Sequence, residues 1–300
     1  MIYNMDKLYE AVAQRGHVCV GLDTAPEYIP PRERKKAASA ATAVLDYNKA
    51  LIEATADLAA CFKVQIACYE ELGLRGLEAY AETLRFIRGR GCLVIADIKR
   101  GDIADTAARY ARAHFEGDFE ADFVTLSPYM GMDAIDPWLD YAETRGKGAF
   151  VLLRTSNPGM RDFEYRELRG GGRLYDAVGD KLSELAESRR GKYGYGLFGA
   201  VVGAESKSET ERDEVRALRR QRDSLFFLIP GYGAQGGAAD DAALLLREGN
   251  GGVVNASRSI LKAWMAAAAD KPEDAVDISF AAEAARRELI KMRDAIRAAL

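Results

Sequence analysis

Residues 95–106, IADIKRGDIADT, begin apolar and then place Asp97, Lys99, Arg100, Asp102 and Asp105 within nine positions. Carboxylates alternating with cations straight after a buried-looking run admit two readings. One is a solvated rim where a strand turns into a helix. The other is an electrostatic site, in which opposite charges at close range keep one another ionised. Lys63 bears on the choice. It sits in CFKVQI (61–66) between Phe62 and Val64, and a lone buried ammonium is costly. It therefore needs a carboxylate, and Asp97 on the next strand is the nearest candidate; the alternative is a lysine snorkelling out to solvent.

Two further stretches suit an anion. PGYGAQGG (230–237) and NASRSI (255–260) each run into a helical pattern. Backbone N–H groups at such turns, with glycines admitting close approach, cradle negative charge. Arg258 adds a permanently charged, bidentate contact and Gln235 a neutral donor. Together they suggest a phosphorylated ligand.

These residues have to be positioned by something. Eight β-rich runs recur along the chain: 17–22, 61–66, 92–98, 122–127, 149–154, 197–203, 225–230 and 251–257. Between them lie Ala-, Leu-, Glu- and Arg-rich segments of helical period. Strands alternating with helices imply βαβ units, and their near-continuous apolar character implies burial on both faces. Eight such units predict an α/β protein of the (β/α)8 TIM-barrel type, a single domain over residues 1–300. In such a barrel the loops after the strands form one rim. Asp23, Lys63, Asp97, Lys99, Ser127, Tyr129, the run Arg154–Asn157, Gly231–Gly237, Ser257 and Arg258 all fall there. An amphipathic stretch (Lys7–Arg15) precedes the first strand, an arginine-rich insertion (157–176) follows the fifth, and a helix over Phe280–Ala299 ends the chain.

Composition narrows the partners. A net charge of −4 argues against nucleic acid or an anionic membrane as the main partner. PPRERKK (30–36) reads as a solvated helix start. The N-terminus has no basic segment followed by an apolar stretch, and no apolar run approaches the ~20 residues that span a bilayer, so a cytoplasmic protein is expected. Cys19, Cys61 and Cys92 lie in apolar strand-like runs and read as reduced core cysteines. The two histidines, His17 and His114, read as structural.

In order along the chain, the lysine of the second strand, D-I-K-x-x-D-I after the third, S-N-P-G after the fifth and G-x-G-A-Q-G-G followed by S-R-S-I resemble the orotidine 5′-phosphate decarboxylase family. The chain length and KVQIACYEELG (63–73) are similar to its type 2 branch. The resemblance spans about Asp23 to Ile260. It implies conversion of orotidine 5′-phosphate to uridine 5′-phosphate and CO2 in de novo pyrimidine synthesis, with no metal and no cofactor. It further implies a charged array of Lys63, Asp97, Lys99 and Asp102, the last supplied by the partner subunit of a homodimer. Lys99 would stabilise the carbanion at C6 and protonate it. Asp23 and the partner's Thr106 would hold the ribose hydroxyls, and Ser156 would read the pyrimidine. Gln235 and Arg258 would hold the 5′-phosphate, with Gly236 and Ser257 beside them. D-x-K-x-x-D is also shared with Mg²⁺-dependent 3-keto sugar phosphate decarboxylases and hexulose-phosphate synthases of the same barrel type, which remain the alternative.

Overall fold

A computed structural model describes residues 2–204, 206, 208–233, 239–270, 272 and 275–300. Its eight parallel strands close on one another in chain order. They are β1 Val18–Leu22, β2 Cys61–Gln65, β3 Val94–Arg100, β4 Phe123–Leu126, β5 Gly148–Arg154, β6 Phe198–Val202, β7 Phe227–Ile229 and β8 Gly252–Ala256. All eight expected runs are strands, and the architecture is the (β/α)8 barrel. The third is displaced: it starts two residues after Cys92 and runs on to Arg100, so Cys92 precedes the strand instead of lying in it. All four cysteines are free thiols.

The strand period of two explains where the chemistry sits. One face of each strand packs outward on the helices, as with Val18, Val20, Phe62, Val64, Val94 and Ala96. The other face fills the barrel. Cys19, Cys61, Ile95, Phe123, Phe150 and Val253 form its apolar floor, and Met5, Leu8 and Val12 of the N-terminal helix Asn4–Arg15 join the same cluster. Two residues further along these strands stand Gly21, Lys63, Asp97, Thr125, Leu152 and Asn255. The inward face thus changes from hydrocarbon to charge within one side-chain layer, towards the C-terminal mouth.

β3 departs from regular geometry at the key residues. Its ladder with β4 pairs Ala96 with Val124 and next Arg100 with Leu126, so three residues of β3 oppose Thr125 alone. Within that bulge Lys99 has φ +44°, a left-handed conformation seldom taken by residues other than glycine. Such a conformation costs about 1–3 kcal/mol and persists only where its surroundings enforce it.

The two histidines are buried. The His17 ring nitrogen Nε2 lies 3.0 Å from the Gly249 carbonyl, and His114 packs on Phe119. Residues 31–36 form a short helix with no buried residue. No helix among the described residues is long and apolar enough to cross a membrane.

Candidate active site at the mouth of the barrel

Asp97 is the centre of the mouth. Its Oδ2 accepts from Lys63 Nζ at 2.9 Å and from Gln65 Nε2 at 3.0 Å. Its Oδ1 accepts from Lys99 Nζ at 2.6 Å and from Thr125 Oγ1 at 2.8 Å. Lys63 Nζ also donates to Asp23 Oδ1 at 2.8 Å, and Ser257 Oγ donates to Asp23 Oδ2 at 2.9 Å. The result is an unbroken alternation: Asp23, Lys63, Asp97, Lys99. Gly21 is required beneath it, because a Cβ there would fall 2.0 Å from Ser257 Oγ.

Burial sorts the members by role. The Lys63 and Asp97 side chains are 6% and 7% exposed, whereas Lys99 is 48% exposed and its ammonium reaches the cleft. Burial alone would raise the Asp97 carboxyl, but Lys63 and Lys99 together hold it well below the usual carboxylate range. Burial likewise disfavours the Lys63 ammonium, and Asp23 and Asp97 more than reverse this, so Lys63 stays charged. The buried pair is a fixed electrostatic support, and Lys99 is the cation within reach of a ligand.

Two adjoining cavities share these walls. One, of about 410 Å³, is lined by Asp23, Lys63, Asp97, Lys99, Ser156 and Arg258 among others. The second, of about 190 Å³, has Lys99 and Thr125 on one side and Leu152, Val201 and Leu228 on the other. Lys99 and Ser156 belong to both. A larger cavity of about 690 Å³ lies away from the mouth, against the insertion, and holds none of the charged array.

Of the residues singled out from sequence, Asp23, Lys63, Asp97, Lys99, Ser156, Ser257 and Arg258 are brought together. Lys63 has two carboxylate partners where one was expected, and Ser257 is engaged with Asp23. Asp102 and Thr106 stand apart within this chain. The Asp102 carboxylate accepts from the Ile103 N–H at 2.8 Å, and Thr106 is exposed on the helix Ala104–Phe115. Gln235 and Gly236 lie outside the described residues.

Three site residues escaped the sequence reading: Gln65, Thr125 and Asn255. Each lies two positions from a residue that was noticed: Gln65 after Lys63, Thr125 before Ser127 and Asn255 before Ser257. Asn255 lines both cavities, and its buried Oδ1 has no hydrogen-bond partner among the described residues.

The insertion packs beside the mouth. Glu164 accepts from the Thr155 N–H at 2.8 Å and from its hydroxyl at 2.7 Å, and buried Arg154 donates to Tyr165 at 3.0 Å. Arg161 and Arg173 pair with Glu211 and Glu214 of the helix Glu209–Gln221. No residue from 158 to 176 lines either mouth cavity.

Such a barrel, with a lysine–carboxylate array and an arginine facing one cleft, defines a lyase-type site for an anionic ligand. Residues 16–271 match the model of the orotidine 5′-phosphate decarboxylase / HUMPS family, and the chain belongs to that family. It is 54% identical over 295 residues to the orotidine 5′-phosphate decarboxylase of Clostridium perfringens (strain SM101 / Type A), covering 98% of each chain. With the Clostridium tetani enzyme of the same name it shares 50% over 292 residues, 97% of each. Among solved structures it is similar to a putative orotidine 5′-phosphate decarboxylase from Streptomyces avermitilis (TM-score 0.79, 29% identity, 100% of this chain and 96% of that one). It is also similar to the Leishmania donovani OMP decarboxylase (TM-score 0.71, 32% identity, 98% and 100%).

Proposed function

We propose that this chain decarboxylates orotidine 5′-phosphate to uridine 5′-phosphate and CO2, in the cytoplasm, through fixed charge supplied by its own side chains. The C6–carboxylate bond breaks, CO2 departs, and the electron pair stays on C6 in an orbital lying in the ring plane. That orbital conjugates poorly with the ring, so the charge must be met from outside. The Lys99 ammonium faces it and then donates its Nζ proton to C6, and the neutral amine regains a proton from water. A unit-charge contact at 4 Å is worth about 1 kcal/mol in water and about 4 kcal/mol at an effective dielectric constant near 20. Closure of the mouth against water therefore belongs to the mechanism.

The observation that carries this reading is Asp97, buried and bridging Lys63 and Lys99 in the cleft that Arg258 also lines. Each Asp97 oxygen already accepts from an ammonium and from one neutral donor. That donor set suits a held lysine better than a coordinated divalent cation. Arg258 and the 230–237 loop take the 5′-phosphate, remote from C6, where binding energy can align the base. Ser156 reads the pyrimidine. In a homodimer, Asp102 and Thr106 reach the partner's site. The exposure of Thr106, with that of Ile103, Tyr129 and Met130 in the segments after β3 and β4, supports this arrangement.

The test is incubation with orotidine 5′-phosphate while following loss of the orotate absorbance band, with and without EDTA. Equal rates in both are expected. No loss of the band refutes the activity, and loss abolished by EDTA favours the metal-dependent relatives.

A further inference from the structure

The bulge in β3 poses a problem that the charged array does not solve. Lys99 is held at φ +44° beside a partner strand that skips its register. In a regular strand the N–H groups of Ile98 and Lys99 would point to opposite neighbours, whereas at this bulge both meet the Thr125 side chain of β4. Buried N–H groups need a partner, and in this chain they share one. Ile98 N–H donates to Thr125 Oγ1 at 3.0 Å, and Lys99 N–H donates to the same oxygen at 2.9 Å.

A threonine hydroxyl has two acceptor lone pairs and one hydrogen. With both lone pairs taken, the hydrogen has a single destination, Asp97 Oδ1 at 2.8 Å. The donor and acceptor roles follow from the count. Thr125 is itself immobile: it is buried, and its main chain pairs with Phe150 of β5. One oxygen thus anchors the main chain of Lys99 and aims the carboxylate that receives the Lys99 ammonium. It fixes the lysine at both ends, and it lines the cavity that the ammonium faces.

We infer that Thr125 is a positioning residue for the reaction, whose hydroxyl locks the bulged Lys99 backbone and the Asp97 carboxylate into one rigid unit. The inference rests on the decarboxylase reading above and names a residue through which that site is held in register. Misplacing a reacting group by about 1 Å costs on the order of 10²-fold in rate. Thr125→Val keeps the volume and removes all three hydrogen bonds. It should lower kcat roughly 30- to 100-fold. KM for orotidine 5′-phosphate and the Kd for uridine 5′-phosphate should move less than about threefold, because neither ligand's phosphate grip involves this hydroxyl. Thr125→Ser retains the oxygen and should stay within about threefold of the parent in kcat.

Where Thr125→Val fails to fold, Thr125→Cys makes the same comparison, since it keeps the size and offers only a weak donor and acceptor. The idea is overturned by Thr125→Val or Thr125→Cys turning over at the parental rate, or by Thr125→Ser losing as much as they do. A fall in uridine 5′-phosphate binding matching the fall in kcat would also overturn it, as that marks general damage. If the parent itself shows no decarboxylation, the functional reading fails. If the parent is active and Thr125→Val is equally so, only this inference fails.

Discussion

Lys63→Met is the perturbation that most directly tests whether the array works as fixed charge. Lys63 lies 2.8 Å from Asp23 and 2.9 Å from Asp97. At an effective dielectric constant near 20, each contact represents about 6 kcal/mol of attraction, set against several kcal/mol for taking each ion out of water. Removing one member of a buried pair typically costs about 3–5 kcal/mol, mostly from the charge left behind. The structure says which charge that is. The Asp23 side chain is 33% exposed and can rehydrate, whereas Asp97 is 7% exposed and cannot. Adding Asp23→Asn to Lys63→Met should thus change stability by less than about 1 kcal/mol, while adding Asp97→Asn should recover most of the loss. Urea unfolding of the parent, the single and the two double variants measures this.

The pH dependence has a definite sign. In the parent, the depressed Asp97 carboxyl contributes stability that is present above its unfolded value near 4 and lost as pH falls below it. Without Lys63, burial opposes the charge with only Lys99 to counter it, so the carboxyl rises and takes up a proton earlier. The gap between parent and variant should be full at pH 7 and narrow towards pH 4. Turnover should fall at least about 10³-fold in Lys63→Met, the equivalent of losing about 4 kcal/mol of Lys99 stabilisation, and Asp97→Asn should not restore it. Parental stability in Lys63→Met, or rescue by Asp23→Asn in place of Asp97→Asn, refutes the reasoning.

Lys99→Ala should fold and bind uridine 5′-phosphate yet release almost no CO2 from orotidine 5′-phosphate; normal turnover removes its proton-donor role. Arg258→Ala should raise KM roughly 10- to 100-fold, the worth of charge-assisted hydrogen bonds to a phosphate, and an unchanged KM would move the phosphate elsewhere. Lys99→Ala and Asp102→Ala subunits, each inactive alone, should regain about a quarter of parental activity when mixed equally, because half the dimers are mixed and each has one intact site. No regain means that Asp102 does not cross the interface. Burial pushes the His114 imidazole down to about 4, with Arg100 adding to the effect. Stability should therefore be fully present above the unfolded value near 6.5 and decline as pH falls towards 4, by about 2 kcal/mol at pH 5. His114→Phe should flatten that slope in urea melts at pH 7 and 5.

The barrel was legible because parallel strands buried on both faces leave a continuous apolar signature, and eight of them recurred at βα spacing. Lys63 was legible because an ammonium inside such a run has to be paired. Its second partner was less so. Asp23 follows β1, and only the register of β1 on β2, which seats Cys19 beside Cys61 and Gly21 beside Lys63, carries it to the lysine. Gln65, Thr125 and Asn255 were hidden for a different reason. A lone Gln, Thr or Asn near a strand end is unremarkable, and its meaning depends on which face it occupies. The register of the charged residues supplies that face: counting by twos from Lys63 reaches Gln65, and counting back from Ser257 reaches Asn255.

The bulge is where counting by twos stops being sufficient. Regular alternation puts Asp97 and Lys99 on one face, and by itself predicts two side chains projecting in parallel, one residue pair apart. The observed contact of 2.6 Å is made where the main chain also bends between them, through the left-handed Lys99 and the skipped register with β4. No residue within IADIKRGD announces that bend, since glycine comes only at position 101. The stabilising group sits 26 residues away from Lys99, in the next strand, as the Thr125 hydroxyl. A strained backbone persists when its surroundings over-determine it. Here the strain, the oxygen that satisfies it and the carboxylate that the same oxygen aims all converge on the Lys99 ammonium at the cleft. That coincidence is the physical reason for assigning the bulge to the chemistry and not to irregularity at a strand end.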